Sequence, residues 1–254
     1  FSGDPGSRMI TASEPQSVGP QAGAANGYTG QTLEVRTRDP ETGVVTTETL
    51  PSYADDASAR DIADTLGNAK GVEASAYTET RLTGFSGSDA EIGINGVTLD
   101  VDGPLNADSV EEAINNNSNF DSLDLDVINN GSDIELRSNT GEDINIELAD
   151  SGTGGQLTVQ KPNSYENGTD VGTDVTLTGN GDEATVGGYV DTTLADGVSL
   201  TSTTDGVFDQ SPSSEPAYKG FQFELSGNPE AGDSFRLETN QGGTSDNRNG
   251  LALG

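Results

Sequence analysis

AEIGINGVTLDVDG (Ala90–Gly103), LNADSVEEAINNNSNF (Leu105–Phe120) and LDLDVINNGSDIELRSNT (Leu123–Thr140) follow one another almost without a gap. Their three periodicities decide the fold. In the first, apolar residues alternate at Ile92, Ile94, Val97 and Leu99 around Asn95-Gly96. A type I′ turn needs positive φ at both central residues, which Asn-Gly tolerates, so the spacing predicts a tight hairpin. In the second, Leu105, Val110, Ala113 and Ile114 fall on one face at helical spacing, with Asn106 placed to cap. In the third, Leu123, Leu125 and Val127 face Ile134 and Leu136 across Asn130-Gly131, a second hairpin. INIELAD (Ile144–Asp150) adds a strand. Together these patterns predict one small core made by Ile92, Ile94, Val97, Leu99, Ile114, Leu123, Leu125, Ile134 and Leu136.

Working upstream, the same succession is present once more. TLEVRTRDPETGVVTTETLP (Thr32–Pro51) alternates about a polar turn at Pro40–Gly43 and predicts a hairpin. DDASARDIADTLGNAKG (Asp55–Gly71) carries Ala59, Ile62, Ala63 and Leu66 on one helical face. Ser58 is placed as its N-cap, with Asp61 in the first turn and Gly67 or Gly71 at its end. VEASAYTETRLTGF (Val72–Phe85) returns as a strand. Hairpin, short helix and returning strand thus repeat about every 60 residues. The first 30 residues, rich in Gly, Pro, Ser and Ala, show no period and read as an extended lead-in.

Downstream of Gly154 helical spacing disappears. QLTVQKP (Gln156–Pro162), DVTLTG (Asp174–Gly179), EATVGGYVDTTLADGVSLTSTTDGVF (Glu183–Phe208) and FQFELSGNPEAGDSFRLETN (Phe221–Asn240) read as strands separated by Gly, Asn and Asp turns. The expected fold class is mainly β with two short helices: α+β hairpin–helix–hairpin units, then an all-β, sandwich-like domain. The expected divisions are a lead-in over 1–30, two repeated units over 31–150, a β-rich domain over 151–245 and the start of a helix over 246–254.

Composition limits what such a chain can be. Only 30% of the 254 residues are hydrophobic and 5% aromatic, which suits thin cores between sheets rather than one thick core. The 43 Asp and Glu against 11 Lys and Arg give a formal charge of −32, with Lys70, Lys161 and Lys219 the only lysines. The acidic residues are spread along the whole chain, which favours a solvated surface suited to saline surroundings over an acidic tail or a cation-binding surface. Nucleic acid is not an expected partner, because binding it requires neutralising phosphate charge. An anionic membrane is disfavoured for the same reason, and no run approaches the roughly 20 apolar residues that span a bilayer.

No catalytic, cofactor-binding or metal-ligating residue is expected. The chain has no His and no Cys, which excludes Ser-His-Asp and Cys-His arrangements. GFSGS at Gly84–Ser88 lacks the spacing of a nucleophile elbow, and the glycines near Gly154 and Gly187 read as ordinary strand-flanking residues. Asp100, Asp102 and Asp108, and separately Asp121, Asp124 and Asp126, are the acidic clusters. Neither fits a calcium loop, and Asp124 and Asp126 fall opposite Leu123 and Leu125, on a solvent face.

The residues Ile94–Val97, Ala113–Asn115 and Leu136–Gly141 resemble the "IN" motif of bacterial flagellins and hook-associated proteins: an Ile-Asn-Gly hairpin, a helix that typically carries Ala-Ile-Asn, and a strand before Thr/Ser-Asn-Gly. The first unit departs from that motif in having no Ile-Asn-Gly, and only Asp61–Ala76 is similar to its helix-to-strand passage. GDSFRLETNQGGTSDNRNGLALG (Gly232–Gly254) resembles the edge of the C-terminal helical region in the same family. The resemblance covers Gln31–Asp150 and Asp182–Gly254. It implies an extracellular structural part of the bacterial flagellum, the outward-facing middle of a hook-associated (hook–filament junction) protein or flagellin, without enzymatic activity or cofactor. On that reading the chain is a middle segment, monomeric alone, whose partners are neighbouring axial subunits reached through terminal helices. Ser245, Asp246, Asn247, Arg248 and Asn249 would form the boundary, with Ser245 or Asp246 capping the helix begun by Gly250–Leu253 and Arg248 pairing with Asp246 or a neighbouring subunit. The alternative is a cell-surface β-module adhesin, in a Ca²⁺-dependent form binding metal at Asp100 and Asp102, or holding carbohydrate between Tyr189 and Tyr218. A carboxylate glycosidase would need two acids facing each other across a cleft, for which the sequence gives no sign.

Overall fold

The computed structural model describes residues 8–9, 18–39, 41–163, 170–195 and 197–202, all within one compact unit. The described part is mainly β with two α-helices. In chain order it begins with β1 (Arg8–Met9), β2 (Gln21–Ala22) and the hairpin β3 (Leu33–Arg38) and β4 (Val45–Thr49). Helix α1 (Ala59–Gly67) follows, started by Ser58, whose hydroxyl accepts from the Asp61 N–H at 3.2 Å. Ala59, Ile62, Ala63 and Leu66 are its buried face, as their spacing predicts.

β5 (Val72–Ile94) then runs for 23 residues and organises everything else. The sequence predicts two strands here, one ending near Phe85 and one opening the Asn95-Gly96 hairpin. They are one strand, bent rather than broken. Gly84, Gly87 and Asp89 take positive φ (63°, 89° and 55°). The pairing register shifts beside them, which is how a bulge lets a strand coil and continue. The two repeated units therefore share β5 and are fused through it.

β6 (Val97–Pro104) folds back on β5 through Asn95 and Gly96, at φ 45° and 79°, the predicted type I′ turn. Helix α2 (Ala107–Asn116) starts on a reciprocal cap: Ser109 N–H donates to Asn106 Oδ1 and Asn106 N–H to Ser109 Oγ, both at 3.0 Å. A 3₁₀ turn over Phe120–Leu123 precedes β7 (Leu125–Asn129) and β8 (Ile134–Ser138). Leu123 thus lies on that turn and not on the strand, and Asp124 sits at φ 51°, off the strand face expected for it. β9 (Ile144–Asp150), β10 (Thr153–Gln160), β11 (Val175–Leu177), β12 (Asp182–Val186), β13 (Tyr189–Ala195) and β14 (Val198–Ser202) complete the described chain.

β13, β8, β10, β6 and β9 all pair antiparallel with successive parts of β5, within an 11-stranded sheet. The remaining sheet has the order β14-β3-β4. The division expected at residue 151 falls inside the large sheet, because β9 and β10 run one after the other against β5. Burial follows two cores. One gathers α2 with β5, β6, β8, β9 and β12, and contains Ile92, Ile94, Leu99, Ile114, Ile134 and Leu136, with Val97, Leu123 and Leu125 packed against it. The other gathers α1 with Tyr28, Leu33, Val35, Val190 and Val198. Two thin cores are what a 30% hydrophobic chain supports.

The lead-in expected over 1–30 is corrected by residues 18–30. β2 pairs with β12, and Tyr28 and Asn26 are fully buried. This segment lacks a period because its residues are held by side-chain hydrogen bonds to irregular backbone, which leave no repeat to read. The expected hairpin over Phe221–Asn240 and the helix begun by Gly250–Leu253 lie outside the described residues.

Candidate functional site

Ser245, Asp246, Asn247, Arg248 and Asn249 lie outside the described residues, as does Tyr218. Tyr189 does not line an open pocket: it is buried and stacked on Tyr77, ring centroids 4.9 Å apart. Asp100 and Asp102 are exposed on β6. Asp108 and Asp126 accept hydrogen bonds from Asn129 and Asn139, and Asp121 lies on the 3₁₀ turn. Among the described residues, no group of three or more acidic side chains is arranged to hold a metal ion. No described helix is long and apolar enough to cross a membrane.

What the fold assembles instead is a buried polar knot between the two cores. Lys161, immediately after β10, has 0% of its surface exposed. Its Nζ donates to the carbonyl of Val18 at 3.0 Å, to that of Gly188 at 3.1 Å and to that of Gly187. It also lies 4.3 Å from the Tyr189 ring centroid, a cation–π contact. The Tyr189 hydroxyl donates to the Pro162 carbonyl, and Arg137 covers the Tyr77 ring at 5.1 Å. Gly187 and Gly188, read from sequence as ordinary flanking residues, are the corner of this cage. A Cβ on Gly188 would lie 2.6 Å from Thr78 Oγ1 and 2.7 Å from the Ala59 Cβ, so no larger residue fits.

Beside this cage Tyr28 and Asn26 bring in the N-terminal segment. Tyr28 donates its hydroxyl to the Gly188 carbonyl at 2.7 Å. Asn26 Nδ2 donates to Asp143 Oδ2 at 2.8 Å and to the carbonyls of Ala57 and Asp56 at 3.0 and 3.2 Å, while Oδ1 accepts from Tyr28 N–H. Asp143 Oδ1 is buried with no hydrogen-bond partner. Burial raises the Asp143 carboxyl to about 6, opposed by the Asn26 bond and by Lys161, and reinforced by Glu142 and Asp56. Burial pushes Lys161 down to about 7, with the charge of Asp143 opposing. The carbonyls also favour the ammonium, because a neutral amine has only two N–H donors for the three of them.

The knot ties the segment around Val18–Tyr28, the loop before α1, the start of β9, the end of β10 and the corner before β13 into one body. Its donors point at backbone carbonyls and at the Asp143 carboxylate, so its chemistry is that of a rivet. Sequence reading missed it for a physical reason: its hydrogen-bonded partners are separated by up to 160 positions, the distance from Tyr28 to Gly188. The available signals were weak ones: a lysine beside a proline in a chain with three lysines, and Gly-Gly between two β runs.

Scanned against models of known protein families the chain matches none, and a search of curated proteins finds no match.

Proposed function

We propose that this chain is an architectural part of the bacterial flagellum, an outward-facing β-rich region of a hook-associated protein or flagellin, and that it carries out no reaction. The observation that supports the reading is the unit formed by the Ile94–Val97 hairpin, the helix bearing Ala113–Asn115 and the strand ending at Ser138. Those are the elements, in the order that the resemblance to the "IN" motif implies. Consistent with a mechanical role, the buried Lys161 serves the backbone, Asp143 is bonded to Asn26 within the same knot, and Asp100 and Asp102 stand exposed on β6. Extracellular placement and neighbouring axial subunits as partners follow from the same reading. Disrupting the gene in the source organism tests it: cells should lose swimming and carry missing or unanchored filaments. Normal motility with intact filaments would contradict it.

A further inference from the structure

Among the described residues Lys161 is the one charged side chain with no exposed surface. A primary ammonium carries three N–H donors and no acceptor. The carbonyls of Val18, Gly187 and Gly188 accept from it, and the centre of the Tyr189 ring stands 4.3 Å away. Oxygen acceptors and an aromatic face are the surfaces that recognise an organic ammonium ion once it has left water. The charge of Asp143 also favours a cation at this position.

The walls of this cage are held by contacts other than those to Lys161. The Gly188 carbonyl also accepts from the Tyr28 hydroxyl at 2.7 Å. Gly187 lies so close to the Tyr28 ring that a Cβ on it would stand 3.0 Å from Cε2. Tyr189 is stacked on Tyr77 with an interplanar angle of 17°, and its hydroxyl donates to the Pro162 carbonyl. Val18 is followed by Gly19, where a Cβ would lie 2.6 Å from the Gly172 Cα, and then by β2, which pairs with β12. The backbone at position 161 is fixed as well, because its carbonyl accepts from Val171 N–H at 2.8 Å. A site whose walls are already in place binds without the cost of ordering itself.

We propose that the carbonyls of Val18, Gly187 and Gly188 and the face of Tyr189 form a binding site for a primary alkylammonium ion, which this chain fills with its own Lys161, and that shortening Lys161 opens the site to a free alkylammonium ion of matching length. Alanine at position 161 removes Cγ, Cδ, Cε and Nζ, which are the heavy atoms of propylammonium. The walls set the chemistry of the occupant: N–H donors for the carbonyls, positive charge for the ring, and an apolar tail where the lysine stem ran. Potassium has the charge without the donors or the tail, and 1-propanol has the tail without the charge. The site is a property of the cage and is independent of the flagellar reading.

Chemical rescue of Lys161→Ala is the test, run at about pH 6, below the value of about 7 to which burial lowers Lys161, so that the occupant is charged. Propylammonium chloride at about ten times its dissociation constant should raise the melting midpoint of the variant by about 3–5 °C over NaCl of equal ionic strength. Matching the ionic strength removes the general effect of salt on a chain of net charge −32. KCl, 1-propanol and hexylammonium, which is too long for the space, should each do less, and the parent chain should melt alike in propylammonium chloride and NaCl. If circular dichroism shows Lys161→Ala unfolded in NaCl, the same comparison reads refolding: propylammonium should restore the parent's spectrum. No rise or refolding beyond that in NaCl, or an equal effect from KCl, 1-propanol or hexylammonium, or an equal rise in the parent chain, would overturn the proposal.

Discussion

Lys161 and Asp143 are the residues at which charge, burial and pH meet. Asp143 is raised from its ordinary 3.8 to about 6, so the fold favours its neutral form. Its stabilising contribution is complete below pH 3.8 and is lost as pH rises through about 6. Lys161, lowered from 10.5 to about 7, runs the other way: its contribution is present above 10.5 and lost as pH falls through about 7. Asp143→Asn keeps an oxygen for Asn26 and removes the charge. It should melt about 2–5 °C above the parent at pH 8 and coincide with it near pH 4. A variant that melts lower at pH 8 would show that the carboxylate stabilises the knot through Lys161. Lys161→Met leaves the carbonyls of Val18 and Gly187 without this donor in a dry site. It should cost about 3 kcal/mol in urea unfolding; a loss below about 1 kcal/mol would mean that the knot is dispensable.

At the scale of elements, two glycines separate a turn from a junction. Gly96 has positive φ but open space where a Cβ would stand, so Gly96→Ala should cost only the left-handed strain, about 1 kcal/mol. Gly152, between β9 and β10, would place a Cβ 2.1 Å from the Asp89 carbonyl oxygen. Gly152→Ala should therefore cost clearly more than Gly96→Ala in the same unfolding assay; equal costs would mean that the junction yields freely. The pair also shows what was legible. The Asn95-Gly96 turn, the caps at Ser58 and Asn106 and the buried faces of both helices are local, and spacing alone predicts them. The continuity of β5 through Gly84 and Gly87, and of β9 into β10 past Gly152, is not local. Glycine ends a strand or bends one, and only a neighbour far along the chain decides which. The placement of Asn26 and Tyr28 was hidden for the same reason. Their burial rests on partners such as Asp143 and Gly188, which no periodicity announces.

For the whole molecule, charge is the dominant quantity. A net −32 on a folded body repels itself more strongly than on the expanded chain, and salt weakens that repulsion within a Debye length. The thermal midpoint should rise from low salt to about 1 M NaCl; a flat or falling midpoint would show that repulsion is not limiting. A rise produced entirely by millimolar Ca²⁺ would favour the adhesin alternative instead. The placement of the molecule in the cell carries the largest consequence, and antibodies raised against the described body report it directly. Gold-labelled, they should decorate the flagella of the source organism, along the filament or at its junction with the hook. Labelling confined to the cell wall or the cell interior, with bare flagella, would contradict the proposed function.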